Sequence, residues 1–231
     1  MVDDSSLRWQ ACADAGDAAR RAADLILRAA TAAISARGRF RLVLAGGRTP
    51  RSVYALLLAA EVDWPHWELY LGDERCLAPE DGARNSMLVA ALLTRVPDGA
   101  AHPIPAELGP AAAARAYAPV VADAVPFDLV MLGVGEDGHA ASLFPGHPLD
   151  EAAWTVAVHD APKPPPGRVS LGLRALRATR EVLVLAVGPD KADAVARWRA
   201  GEDLPIARIT VGLPGHVLLD ASAEVDAGNP A

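Results

Sequence analysis

The chain has 231 residues, 52% of them hydrophobic, and a formal net charge of −7. That is enough apolar material for one sizeable core, while the charge argues against nucleic-acid binding, because no basic tail or stripe outweighs it. Mean hydropathy is +0.17, yet no apolar run approaches the ~20 residues a bilayer demands, and residues 1–10 carry no basic region followed by an apolar stretch; a cytoplasmic protein with no membrane partner is expected.

Residues 14–37 are Ala-rich and place Leu25, Ile26, Ala29, Ala33 and Ile34 on one helical face, with Gly38 as a C-cap. Residues 40–45 form an apolar run of strand length. A glycine loop, 46–50, follows, and Pro50 suits the first turn of the next helix. Residues 67–71 predict a second strand, and a charged loop leads to a helix near 86–95. Residues 110–124 are helical in composition, with Pro119 expected to break or bend them. Residues 127–132, 154–158, 181–187 and 216–219 read as further strands, and 190–200 as a helix. Pro162–Pro166, with Lys163 inside, reads as an extended surface loop. Strands separated by helices predict one α/β domain over 1–231: a three-layer αβα, mainly parallel, Rossmann-like sheet with helices on both faces. The ligand site of such a sheet lies beyond the C-terminal strand ends, where three polar loops would converge.

The first loop carries Gly46, Gly47, Arg48 and Thr49. Paired glycines let backbone approach a ligand, and free N–H groups at a helix start beside the Thr49 hydroxyl suit an anion; the plainer reading is a tight turn with a Thr cap. It is neither a Walker loop nor a dinucleotide fingerprint. The second loop carries Asp73, Glu74 and Arg75, either a solvated salt-bridge cluster or two carboxylates orienting Arg75 toward a substrate oxygen. The third runs from Gly133 to Gly146 and holds Asp137-Gly138-His139. Histidine can take a proton from water near neutrality, and Asp137 could orient it. His66, His102, His147, His159 and His216 have no comparable setting, and no pair has metal-ligand spacing.

Twenty of the 22 cations are arginine; the two lysines are Lys163 and Lys191. With Arg168 they offer phosphate-binding charge. Cys12 and Cys76 have neither CxxC spacing nor a nearby histidine, so no disulfide or zinc site is expected. Arg75 beside Cys76 would favour a thiolate, against the plainer reading of a small half-buried side chain.

Taken in order, these loops resemble the 6-phosphogluconolactonase family. The resemblance spans about residues 40–220. It rests on Gly46–Pro50, on Asp73–Arg75 followed by Asn85, on the ungapped Gly133–Gly146 signature, on Pro162–Pro165 with Arg168, and on Gly188–Ala192. Ala45, Arg48 and Arg84 depart from the family pattern, changes expected to touch substrate affinity. The resemblance implies hydrolysis of 6-phospho-D-glucono-1,5-lactone without cofactor or metal and without an obligate protein partner. His139 would be the general base and Asp137 its orienter. Arg75 or the N–H groups of Gly46 and Gly47 would serve the oxyanion. Thr49, Arg168 and Lys191 would hold the phosphate, helped by Lys163 and Arg48. The glucosamine-6-phosphate deaminases share the fold and an Asp-Gly-His loop, but continue to an Asn-Glu-Pro segment; here the loop reads ASLFPG, with no acid. A sugar-phosphate-binding protein without catalysis is the remaining alternative.

Overall fold

A computed structural model describes residues 7–224; residues 1–6, most of the segment searched for a leader, lie outside the described part. Seven strands make one sheet: β1 (Leu7–Cys12), β2 (Phe40–Leu44), β3 (Trp67–Leu71), β5 (Ala101–His102), β6 (Leu129–Gly133), β9 (Val182–Ala186) and β10 (Gly215–Asp220). Their order is β1-β10-β9-β6-β2-β3-β5, and every pairing is parallel. Parallel strands require crossovers, which the helices α1 (Ala15–Arg37), α2 (Arg48–Ala59), α3 (Asn85–Leu93), α4 (Pro110–Ala124), α6 (Ala192–Arg199) and α7 (Pro205–Thr210) help supply. This is the expected three-layer α/β fold. The central strands are buried over almost their whole length, β9 entirely, as a sheet covered on both faces demands.

From β2 the chain steps outward to β3 and β5, then returns to place β6 on the other side of β2 and continues outward through β9 and β10. The loops after β2 and β6 therefore leave neighbouring strands toward opposite halves of the sheet, which opens a crevice at their C-terminal ends.

Local signals set several boundaries. The Asp14 carboxylate accepts the Asp17 N–H at 2.7 Å, starting α1. Gly38, at φ 74, ends it by donating its N–H to Ile34 O. Pro119 does not break α4: it lies on the exposed face, where the carbonyl its ring leaves unbonded can meet water. Residues 154–158 do form a strand, β7 (Thr155–Val158), but outside the main sheet. β7 pairs antiparallel with β8 (Arg168–Leu171), which pairs antiparallel with β4 (Asp73–Arg75). This small sheet and β1 were not expected. β4 is three charged residues with no apolar period, and β8 alternates Val169 and Leu171 with polar residues over only four positions, too short a run to stand out. A short helix, α5 (Leu173–Arg177), follows β8. One core runs through the main sheet, and a small satellite of Phe144, Val158 and Ala161 lies apart from it.

Candidate active site

The small sheet brings the charged loops together. His139, Arg75, Gly46, Gly47, Arg48, Thr49, Lys163, Arg168 and Lys191 all line one cleft of about 490 Å3. Asp137 is not in its wall; it holds His139 from the side, with Oδ1 2.5 Å from the imidazole Nδ1 and 3.1 Å from the His139 N–H. Burial works to raise the Asp137 carboxyl, but the hydrogen bonds and charge of His139 outweigh it and leave its pKa below the ordinary value. The carboxylate is thus ionised where the imidazole needs it, and the bond at Nδ1 leaves Nε2 for chemistry.

The loop backbone dictates this pairing. Gly135 donates its N–H to His139 O at 2.8 Å, closing a tight turn. A Cβ on Gly135 would stand 2.0 Å from His139 Nδ1, so glycine leaves the space the imidazole fills. Gly138 sits at φ 87 against Leu204, and its carbonyl accepts the N–H of Ile206 in α7. Phe144 packs its ring 4.8 Å from His139 and lies 5.6 Å from the Arg168 guanidinium.

The second loop differs from expectation. Neither carboxylate grips the Arg75 side chain. Glu74 is fully buried and accepts the backbone N–H groups of Arg75, Asn85 and Ser86 at 2.7–2.8 Å. It therefore caps α3 and fixes the backbone that carries Arg75, whose Nη1 donates to Ala83 O. Asp73 accepts from Ser142 Oγ at 2.6 Å and from Asn85 Nδ2 at 2.9 Å. It joins the loops after β3 and β6. Burial, opposed by the Ser142 hydrogen bond and the Arg168 charge, pushes its carboxyl up. Arg84, expected to affect substrate affinity, is buried away from the cleft: it bonds Glu107 and Ile104 O, and its Nε lies 3.4 Å from Glu74.

The cations have different neighbours. Arg168 has its pKa lowered by burial; the neighbouring Asp73 charge opposes this and the Arg75 charge adds to it. Its Nε and Nη2 donate to Pro165 O and Lys163 O. Lys163 Nζ lies 2.7 Å from Glu136 Oε1. Lys191 Nζ lies 2.8 Å from Asp190 Oδ2, and the Arg48 charge also reaches Asp190. Arg48 and Thr49 open α2, whose N-cap is Gly47 at φ 114 with no side-chain cap; the Thr cap is not formed. Tyr54 holds this turn by bonding both N and O of Ala45. Asp73, Asn85 and Phe144 line the cleft and Ser142 and Tyr54 brace its loops, though only their place inside or beside the motifs could have flagged them. Among the described residues no three His, Cys, Asp or Glu side chains converge as a metal site requires. Cys76 is free and half-buried, and burial pushes its thiol up rather than down.

The family model for glucosamine-6-phosphate isomerases/6-phosphogluconolactonase matches residues 13–217. The chain belongs to that family. A 6-phosphogluconolactonase of Streptomyces coelicolor is 44% identical over 190 residues, 72% of this chain and 73% of that one. Within the same family, the crystal structure of 6-phosphogluconolactonase from Leishmania guyanensis superposes with a TM-score of 0.86 at 26% identity, covering 97% of this chain and 100% of that one. A monomeric glucosamine-6-phosphate deaminase matches with a TM-score of 0.79 at 20% identity, over 94% of this chain and 98% of that one, a likeness of fold alone.

Proposed function

We propose that this chain hydrolyses 6-phospho-D-glucono-1,5-lactone to 6-phosphogluconate, with His139 as general base. The observation that carries the reading is His139 on the wall of a cation-lined cleft, held from the side by Asp137 at 2.5 Å. The relatives named 6-phosphogluconolactonase at 40–44% identity support it. His139 Nε2 takes a proton from water as the water oxygen attacks the C1 carbonyl. Asp137 stabilises the imidazolium. Arg75 and Arg168, neighbours of one another and of Asp73, stabilise the oxyanion. As the intermediate collapses, the C1–ring oxygen bond breaks and the imidazolium protonates the departing oxygen. The product acid then releases one proton to solvent. The phosphate lies at the other group of cations: the uncapped start of α2, with Thr49 and Arg48, and Lys191. The two free thiols suit a reducing, cytoplasmic setting.

The test adds purified protein to freshly generated lactone in weak buffer and follows acid release against the spontaneous rate. His139→Ala should lose ~10²–10⁴-fold in kcat. No acceleration by the wild type, or a mutant as fast as the wild type, overturns the reading; ammonia release from glucosamine 6-phosphate would redirect it to the deaminases.

A further inference from the structure

Residues 162–166 are proline at every position but Lys163. A segment with so few N–H groups cannot be held by a ladder of backbone hydrogen bonds. This strap is instead fixed at its root by side chains and single contacts. Arg168 donates Nη2 to Lys163 O at 2.8 Å and Nε to Pro165 O at 3.1 Å, and Ala161 N–H donates to Pro166 O at 3.0 Å. Ala161 also packs in the satellite cluster with Phe144, whose ring lies against His139. The strap's Lys163 and Pro164 both face the cleft. At the tip, Lys163 Nζ meets Glu136 Oε1 at 2.7 Å, and Glu136 stands in the same turn as Asp137 and His139.

We infer that Glu136 is a positioning residue: through Lys163 it latches the proline strap across the catalytic end of the cleft. The inference rests on the hydrolase reading of that cleft. Lys163 belongs to this end because its carbonyl is held by Arg168, whose charge neighbours are Asp73 and Arg75. The substrate groups presented there are the lactone ring and hydroxyls, which are uncharged and do not draw the ammonium from its carboxylate. The phosphate meets Lys191 and Arg48 instead. The latched strap completes the cleft wall beside His139 and limits water to the attacking molecule.

The pair is half exposed on both sides, so its effect is modest and salt-sensitive. Glu136→Gln and Lys163→Met should each lower kcat/KM by about two- to fivefold, equally for phosphorylated lactone and for unphosphorylated gluconolactone. Each should also speed amide exchange at Ala161, whose N–H is bonded to Pro166 O. The charge-swapped double variant, Glu136→Lys with Lys163→Glu, should restore both readouts. If Lys163→Met weakens only the phosphorylated substrate while Glu136→Gln tightens it, Lys163 is a phosphate ligand and the latch is wrong. Unchanged exchange in both single variants overturns it equally. A wild type without lactone hydrolysis would sink the hydrolase reading, and the exchange measurement would still decide the strap.

Discussion

Alanine at Gly135 would put a methyl group where the imidazole of His139 stands. Its Cβ would lie 2.0 Å from Nδ1, 2.2 Å from Cε1 and 2.6 Å from Asp137 Oδ1. Contacts under 3.0 Å do not persist, so the ring and the carboxylate must both move by an ångström or so. A backbone shift offers no escape, because Gly135 N–H is tied to His139 O at 2.8 Å. Displacement of about 1 Å costs ~10²-fold through lost alignment, and full ejection approaches the ~10²–10⁴-fold loss of a deleted general base. Gly135→Ala should therefore lose at least ~10²-fold in kcat for lactone hydrolysis, with a stability cost of ~1–3 kcal/mol from overpacking. The assay is acid release in weak buffer, with thermal melting to establish that the variant is folded. If the loss runs through His139, adding His139→Ala to Gly135→Ala should slow the enzyme no further than His139→Ala alone. A folded Gly135→Ala variant within threefold of wild-type kcat would refute the steric argument, and a double variant much slower than either single would refute its route.

Lys191→Met should raise KM for phosphorylated lactone by ~10-fold or more, the scale of one hydrogen bond to a charged group, and leave unphosphorylated gluconolactone unaffected; equal effects on both would remove Lys191 from the phosphate. Asp73 titrates above the ordinary carboxylate value because it is buried, despite the opposing Ser142 hydrogen bond and Arg168 charge. A raised carboxyl pKa contributes stability that is complete below the unfolded value and is lost as pH rises through the folded one. The wild type should thus lose stability relative to Asp73→Asn as acid solution is brought toward neutrality, read from urea midpoints; parallel pH profiles would contradict this. Phe40 is fully buried and meets Trp67 edge-on at 4.8 Å, so Phe40→Ala should cost ~3–5 kcal/mol. A loss below 1 kcal/mol in denaturant titration would show that the core around β2 and β3 repacks.

Elements with local signals were legible in the amino-acid order alone. The apolar runs at 40–45, 67–71 and 181–187 had strand length and became β2, β3 and β9. Gly38 marked the end of α1 because capping is decided within a few residues of the helix end; the Asp14 cap appeared only in the structure. The Gly133–Gly146 run marked the loop that brings Asp137 against His139, since the turn needs glycine where His139 folds back. What the tertiary structure decided lies in long-range pairings that no window of sequence contains. β4 exists because Glu74 and Arg75 find Val169 and Arg168 across the chain, not because three charged residues favour a strand. Glu74 reads either as a solvated salt-bridge acid or as a carboxylate orienting Arg75, yet becomes a buried cap for α3 once Asn85 and Ser86 arrive. Arg168 reads as a phosphate cation, yet spends two donors on the strap. A charged side chain's role depends on which partners remove it from water, and those partners come from other loops brought to the same edge of the sheet.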